Sequence, residues 1–149
     1  LRSLEVAARE EAPADESWIS GVLANISIEA RSGRDVPLRP LSETERPVMT
    51  EGAIRSLIRR TGDAVTGVLV ARCQLEGDVT ELASPVRVVV EIAIAPGLSI
   101  PTAADLVRTA VGEALAEQTD LLVEAIDVVV RDLLPEHDDA TGTDPEEAR

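Results

Sequence analysis

Valine or isoleucine stands at every second position from Val86 to Ile94, with Arg87, Val89, Glu91 and Ala93 between them. A period of two over that length is the signature of a strand with one face buried, and such a strand needs neighbours. Two further stretches supply them. Leu69, Ala71, Cys73 and Leu75 alternate with Val70, Arg72, Gln74 and Glu76, after which Gly77-Asp78 turns the chain and Val79–Leu82 extends the hairpin. Over residues 122–131, Ile126, Val128 and Val130 point inward while Asp127 and Arg131 point outward.

Helical spacing marks three other segments. Trp18, Ile19, Val22, Leu23 and Ile26 recur behind the capping candidates Asp15 and Ser17, which predicts a helix over residues 17–30. Gly21 and the alternation Ile26-Ser27-Ile28 leave a strand as the competing reading. Residues 31–48, with Gly33, Pro37, Pro40 and Pro47, read as an extended linker. Thr50 then caps a helix whose stripe is Ala53, Ile54, Leu57 and Ile58, with Glu51 in its positive first turn and Gly62 as its stop. The third helix opens at Ser99-Ile100-Pro101 and carries Leu106, Val107, Ala110, Val111, Ala114 and Leu115 as a wide apolar face, ending near Thr119 and Asp120.

From residue 50 onward the order is helix, strand, strand, helix, strand. That pattern predicts an α+β fold: a small, mostly antiparallel sheet of three to four strands with helices packed on one face. Residues 16–134 form one expected domain. Residues 1–15, rich in Glu, Ala and Pro, read as a flexible leader, and the acidic residues 135–149 read as a disordered tail.

Hydrophobic residues are 44% of the chain, but there is one Trp and neither Phe nor Tyr, so an aliphatic core is required. All 14 basic residues are Arg, a bias that points to a GC-rich bacterial genome. The net charge of −14 repels phosphate backbones and anionic lipid, which argues against nucleic acid as a partner. Apolar runs such as Val88 to Val90 are far too short for direct membrane insertion. Glu5, Arg9, Glu10 and Glu11 interrupt any secretory signal, and the single Cys73 cannot form an internal disulfide, so a cytoplasmic location is expected.

Candidate chemistry is sparse. His137 lies in the acidic tail beside Glu136, Asp138 and Asp139, and one imidazole on such a segment does not make a zinc site. Cys73 sits on the apolar side of its strand and reads as a core thiol. Glu91 and Asp127 lie on outward strand faces, where Arg87, Arg72 or Arg131 are natural partners. Arg55, Arg59 and Arg60 form the one basic cluster, which could dock an acidic partner but reads better as a solvated helix face with ion pairs. Trp18 reads as an anchor to the core, or, if exposed, as a contact hot spot. No catalytic residue, cofactor-binding residue or metal ligand is expected, and no cofactor.

The run Val88 to Pro101, reading VVVEIAIAPGLSIP, resembles the strand, glycine turn and Ile-Pro helix start of the bacterial alkaline-shock, or Gls-type, envelope stress response family. The similarity continues through the helix over residues 103–119 and the strand over residues 123–132, and upstream through residues 50–68 with Gly67-Val68. It covers about residues 48–133 and leaves out the Trp18 segment. Asp120 stands where the family has a helix-ending Gly, and the loop over residues 78–85 is longer than the family's. The resemblance implies a non-enzymatic cytoplasmic scaffold or adaptor of the cell envelope, self-associating, and brought to the membrane by a small membrane-anchored protein partner. Two alternatives are a small nucleic-acid-binding α+β module and a small enzyme using Glu91 or Asp127.

Overall fold

The computed structural model describes residues 14–29 and 33–135. Its centre is the alternating strand β4 (Pro85–Ile94), which lies between β3 (Val68–Glu76) and β5 (Leu122–Leu133). Val86, Val88, Val90, Ile92 and Ile94 are all fully buried on one face. Each such side chain contributes roughly 1.5–3 kcal/mol by leaving water, so this strand anchors the core.

β3 runs antiparallel to β4 and β5 runs parallel to it. A parallel neighbour needs a crossover, and α3 (Ile100–Gln118) provides one. Ser99 caps α3 by accepting the Thr102 N–H at 3.4 Å, and Pro101 sits in the first turn. Ala103, Val107, Val111 and Leu115 form the buried stripe, at steps of four. This stripe is narrower than the predicted face: Leu106 is exposed, and Ala110 and Ala114 are half-buried. At the other end Thr119 closes the helix in extended conformation (φ −135°), with its N–H and its hydroxyl both on the Leu115 carbonyl. That geometry needs no left-handed residue, so Asp120 can stand where a glycine was expected.

α2 (Glu51–Asp63) begins as predicted, the Thr50 hydroxyl accepting the Ala53 N–H at 3.2 Å. Ile54, Leu57 and Ile58 enter the core. Gly62 does not end the helix, which runs on to Asp63. Instead Gly62 permits contact with the sheet, since a Cβ there would lie 2.4 Å from Val70 Cγ2.

Three expectations need correcting. The alternation predicted for β3 fails at a bulge between Val70 and Arg72. Val68 and Val70 are buried before it, Cys73 and Leu75 after it, and Leu69 and Ala71 are only half-buried. One extra residue reverses the phase. Residues 79–82 do not extend the hairpin. They belong to a loop in which Asp78 Oδ1 accepts the Thr80 N–H at 3.0 Å and Val79 is buried. Finally, the expected linker over residues 31–48 contains β1 (Asp35–Pro37), paired antiparallel with β2 (Val48–Thr50). Prolines concealed this hairpin. Pro37 sits at a strand end, where a missing N–H is tolerated, and Val36 is buried in the core.

The N-terminal helix α1 (Ala14–Glu29) takes in the last two positions of the expected leader. Val22 is buried and Trp18 half-buried, whereas Ile19 and Leu23 are exposed, so the predicted stripe only partly faces the protein. Residues 1–13 and the tail 136–149, with His137, lie outside the described residues.

Candidate functional site

The sheet has two edges, treated very differently. Val70 lies on the β3 edge, and its N–H donates to Asp63 Oδ1 at 2.7 Å. Its carbonyl accepts from the Arg59 guanidinium, and the next carbonyl, Ala71, accepts from Asn25 Nδ2 at 3.3 Å. Side chains from α2 and α1 thus satisfy backbone groups that the bulge turns away from β4. An edge covered in this way cannot add a further strand there.

This arrangement also corrects the reading of the basic cluster. Arg59 is buried and bonded to the sheet, and Arg55 is half-buried, with Nη2 2.9 Å from Glu51 Oε2. Arg60 is exposed, with Nε 3.4 Å from the carbonyl of Ser56 in its own helix. Two of the three arginines are structural, and they do not form a common docking patch.

On β5, Arg108 Nε of α3 donates to the Ile126 carbonyl at 3.2 Å, and at the strand end the Leu133 N–H donates to Asp132 Oδ1 at 2.9 Å. Between them, Val128, Val129 and Val130 are half-buried, and among the described residues β5 pairs with β4 alone.

Glu91 and Asp127 lie on adjacent strands, on the face opposite the buried valines. Each takes an arginine from the other strand. Arg87 Nη1 lies 2.8 Å from Asp127 Oδ2, and Arg131 Nε lies 2.5 Å from Glu91 Oε1. The two pairs flank Val89 and Val129, both half-buried. Carboxylates engaged in this way form a flat lattice of alternating charge on the sheet surface. Pairs this exposed add little to stability, so they shape the surface more than they stabilise the fold.

Cys73 is buried, and its Sγ donates to the Arg55 carbonyl at 3.7 Å. Among the described residues, no group of three or more His, Cys, Asp or Glu could hold a metal ion, and no helix is long and apolar enough to cross a membrane. Two shallow grooves flank α3, each of about 530 Å³. One lies between α3 and β5, lined by residues such as Gly112, Leu121 and Ile126; the other lies beside Val65, Leu98 and Leu106. Neither is lined by Glu91, Asp127 or Cys73.

No protein-family model matches the chain, and no curated protein matches it. Among solved structures it is similar to forms of MamM CTD. A manganese form of one variant is 17% identical over 54% of this chain and 95% of the other, with a TM-score of 0.38. A zinc form of another is 19% identical over 60% of this chain and 90% of the other, with a TM-score of 0.40.

Proposed function

We propose that this chain is a protein–protein contact domain of the alkaline-shock type, a non-enzymatic cytoplasmic scaffold or adaptor serving the bacterial cell envelope. It self-associates, and where it reaches the membrane it does so through a membrane-anchored protein partner. The observation that carries this reading is the sheet surface over β4 and β5, where Glu91 and Asp127 are each engaged by an arginine and the apolar contacts between them are Val89 and Val129. Such a surface suits docking of another protein and offers no convergent group for proton transfer. The net charge of −14 and the lack of Phe and Tyr weigh against a strand face that stacks bases.

The test compares two captures. Tagged full-length chain recovers a membrane-spanning protein from detergent-solubilised membranes of the source bacterium, while protein-free anionic vesicles do not sediment it. Vesicle binding without a protein partner, or tight RNA retention on filters at low salt, overturns the reading.

A further inference from the structure

We propose that a second copy of this chain adds its β5 antiparallel to the first, joining two three-stranded sheets into one of six strands about a two-fold axis through Val129. This rests on the contact-domain reading and names the occupant of the open edge.

The direction of the backbone groups comes first. Arg108 of α3 reaches the Ile126 carbonyl, so that carbonyl points off the sheet. Backbone groups alternate sides along a strand, which turns those of Val128 and Val130 outward as well. Among the described residues, no backbone bond outside the β4 pairing reaches them. An edge of this kind is a template for another strand.

Symmetry then restricts the register. In an antiparallel pair, outward residues must face outward residues, so the axis passes through a residue and never between two. An axis at Asp127 sets the two Asp127 carboxylates against each other, and one at Arg131 does the same with the guanidiniums. An axis at Val128 or Val130 leaves each charge opposite an apolar residue. An axis at Val129 sets Asp127 opposite Arg131 of the second copy, twice. Each of these is already paired within its own chain, Asp127 with Arg87 and Arg131 with Glu91. The result is a row of four alternating charges on either side of the axis.

β5 pairs with β4 residue for residue from Ala125 to Val130, so the ladder about Val129 is regular up to the register shift that follows Val130.

The test uses charge reversal in the full-length chain. Sedimentation equilibrium shows a dimer. Asp127→Arg alone and Arg131→Asp alone each weaken it by about tenfold or more, because two cross-strand pairs change sign. An equimolar mixture of the two variants regains the wild-type affinity, since the mixed dimer restores both attractions. Circular dichroism checks that each variant is folded. Val129→Cys provides a second readout: facing positions on the axis lie about 4.5 Å apart at Cα in a non-hydrogen-bonded pair, within disulfide reach, and mild oxidation links two chains, while Leu122→Cys does not. A monomer throughout, a dimer indifferent to both reversals, or no link at position 129 overturns the proposal. Capture of a membrane partner by the same chain still upholds the adaptor part of the contact-domain reading in each of these cases, whereas a monomer throughout removes its self-association.

Discussion

The Arg34 guanidinium holds the Glu51 carboxylate at 2.7 Å from Nε and 3.2 Å from Nη2, and the Arg34 backbone N–H donates to the same Oε1 at 2.8 Å. The Glu51 N–H returns a bond to the Arg34 carbonyl at 2.9 Å. Together these four bonds fasten the approach to β1 onto the first turn of α2. Glu51 is nearly buried, and Arg55 supplies a second guanidinium one helical turn on. The Arg34 hydrogen bond, more than any other influence, holds the Glu51 carboxyl below its ordinary range.

The first prediction concerns acid stability. A depressed carboxyl contributes its stabilisation in full above its unfolded value of about 4.3 and loses it as pH falls through the folded value. Glu51→Gln should therefore cost about 1–3 kcal/mol at pH 7. Urea titrations of both proteins should show the gap narrowing as pH drops below 4.3 or so. An unchanged gap at pH 3 would refute the assignment.

Gly62 offers a packing test. A methyl group there would sit 2.4 Å from Val70 Cγ2, at a place where α2 and β3 are already in contact. Gly62→Ala improves helix propensity by up to about 1 kcal/mol, yet overpacking costs about 1–3 kcal/mol. Net destabilisation in thermal melts is expected, and a stabilised variant would count against this contact.

The staples on β3 should be visible in amide exchange. Asp63→Ala leaves the Val70 N–H without its acceptor, a loss of about 1–3 kcal/mol for a group at a covered edge. Exchange at Val70 should quicken more than at Val90 in the sheet centre. Equal acceleration at both would indicate a global effect only.

Cys73 should react with thiol reagents only when the protein opens, since it lies inside the core. Labelling by an aromatic disulfide reagent should be slow in buffer and immediate in denaturant. Rapid labelling of the native protein would place the thiol at the surface.

The double cycle Arg87→Ala with Asp127→Ala should give a small favourable coupling that fades in high salt, as exposed cross-strand pairs do, and a coupling indifferent to salt would count against the pair.

Local patterns made much of the fold legible. The Val86–Ile94 alternation, the Thr50 and Ser99 caps, and the inward set Ile126, Val128 and Val130 all depend on neighbours a few residues away, and the structure matches each one. Glu91 and Asp127 were legible as outward residues with arginine partners for the same reason. The bulge at Ala71 was not, because its cause is remote: Asp63, Arg59 and Asn25 compensate the displaced backbone groups from two different helices. The β1–β2 hairpin was masked by prolines that local rules assign to linkers. The tie between Arg34 and Glu51 left no trace in any periodicity.

Side-chain period and capping chemistry, which act within one or two turns, determined from the sequence that aliphatic strands and amphipathic helices would form and which face of β4 would be dry. Which strands became neighbours, which edge was stapled by Arg59 and Asp63, and which edge was left to Val128 and Val130 were decided only in three dimensions. Those outcomes depend on where crossover α3 sets β5 down beside β4. Backbone groups at an edge are satisfied or left open by residues far along the chain, and no local pattern encodes that distance.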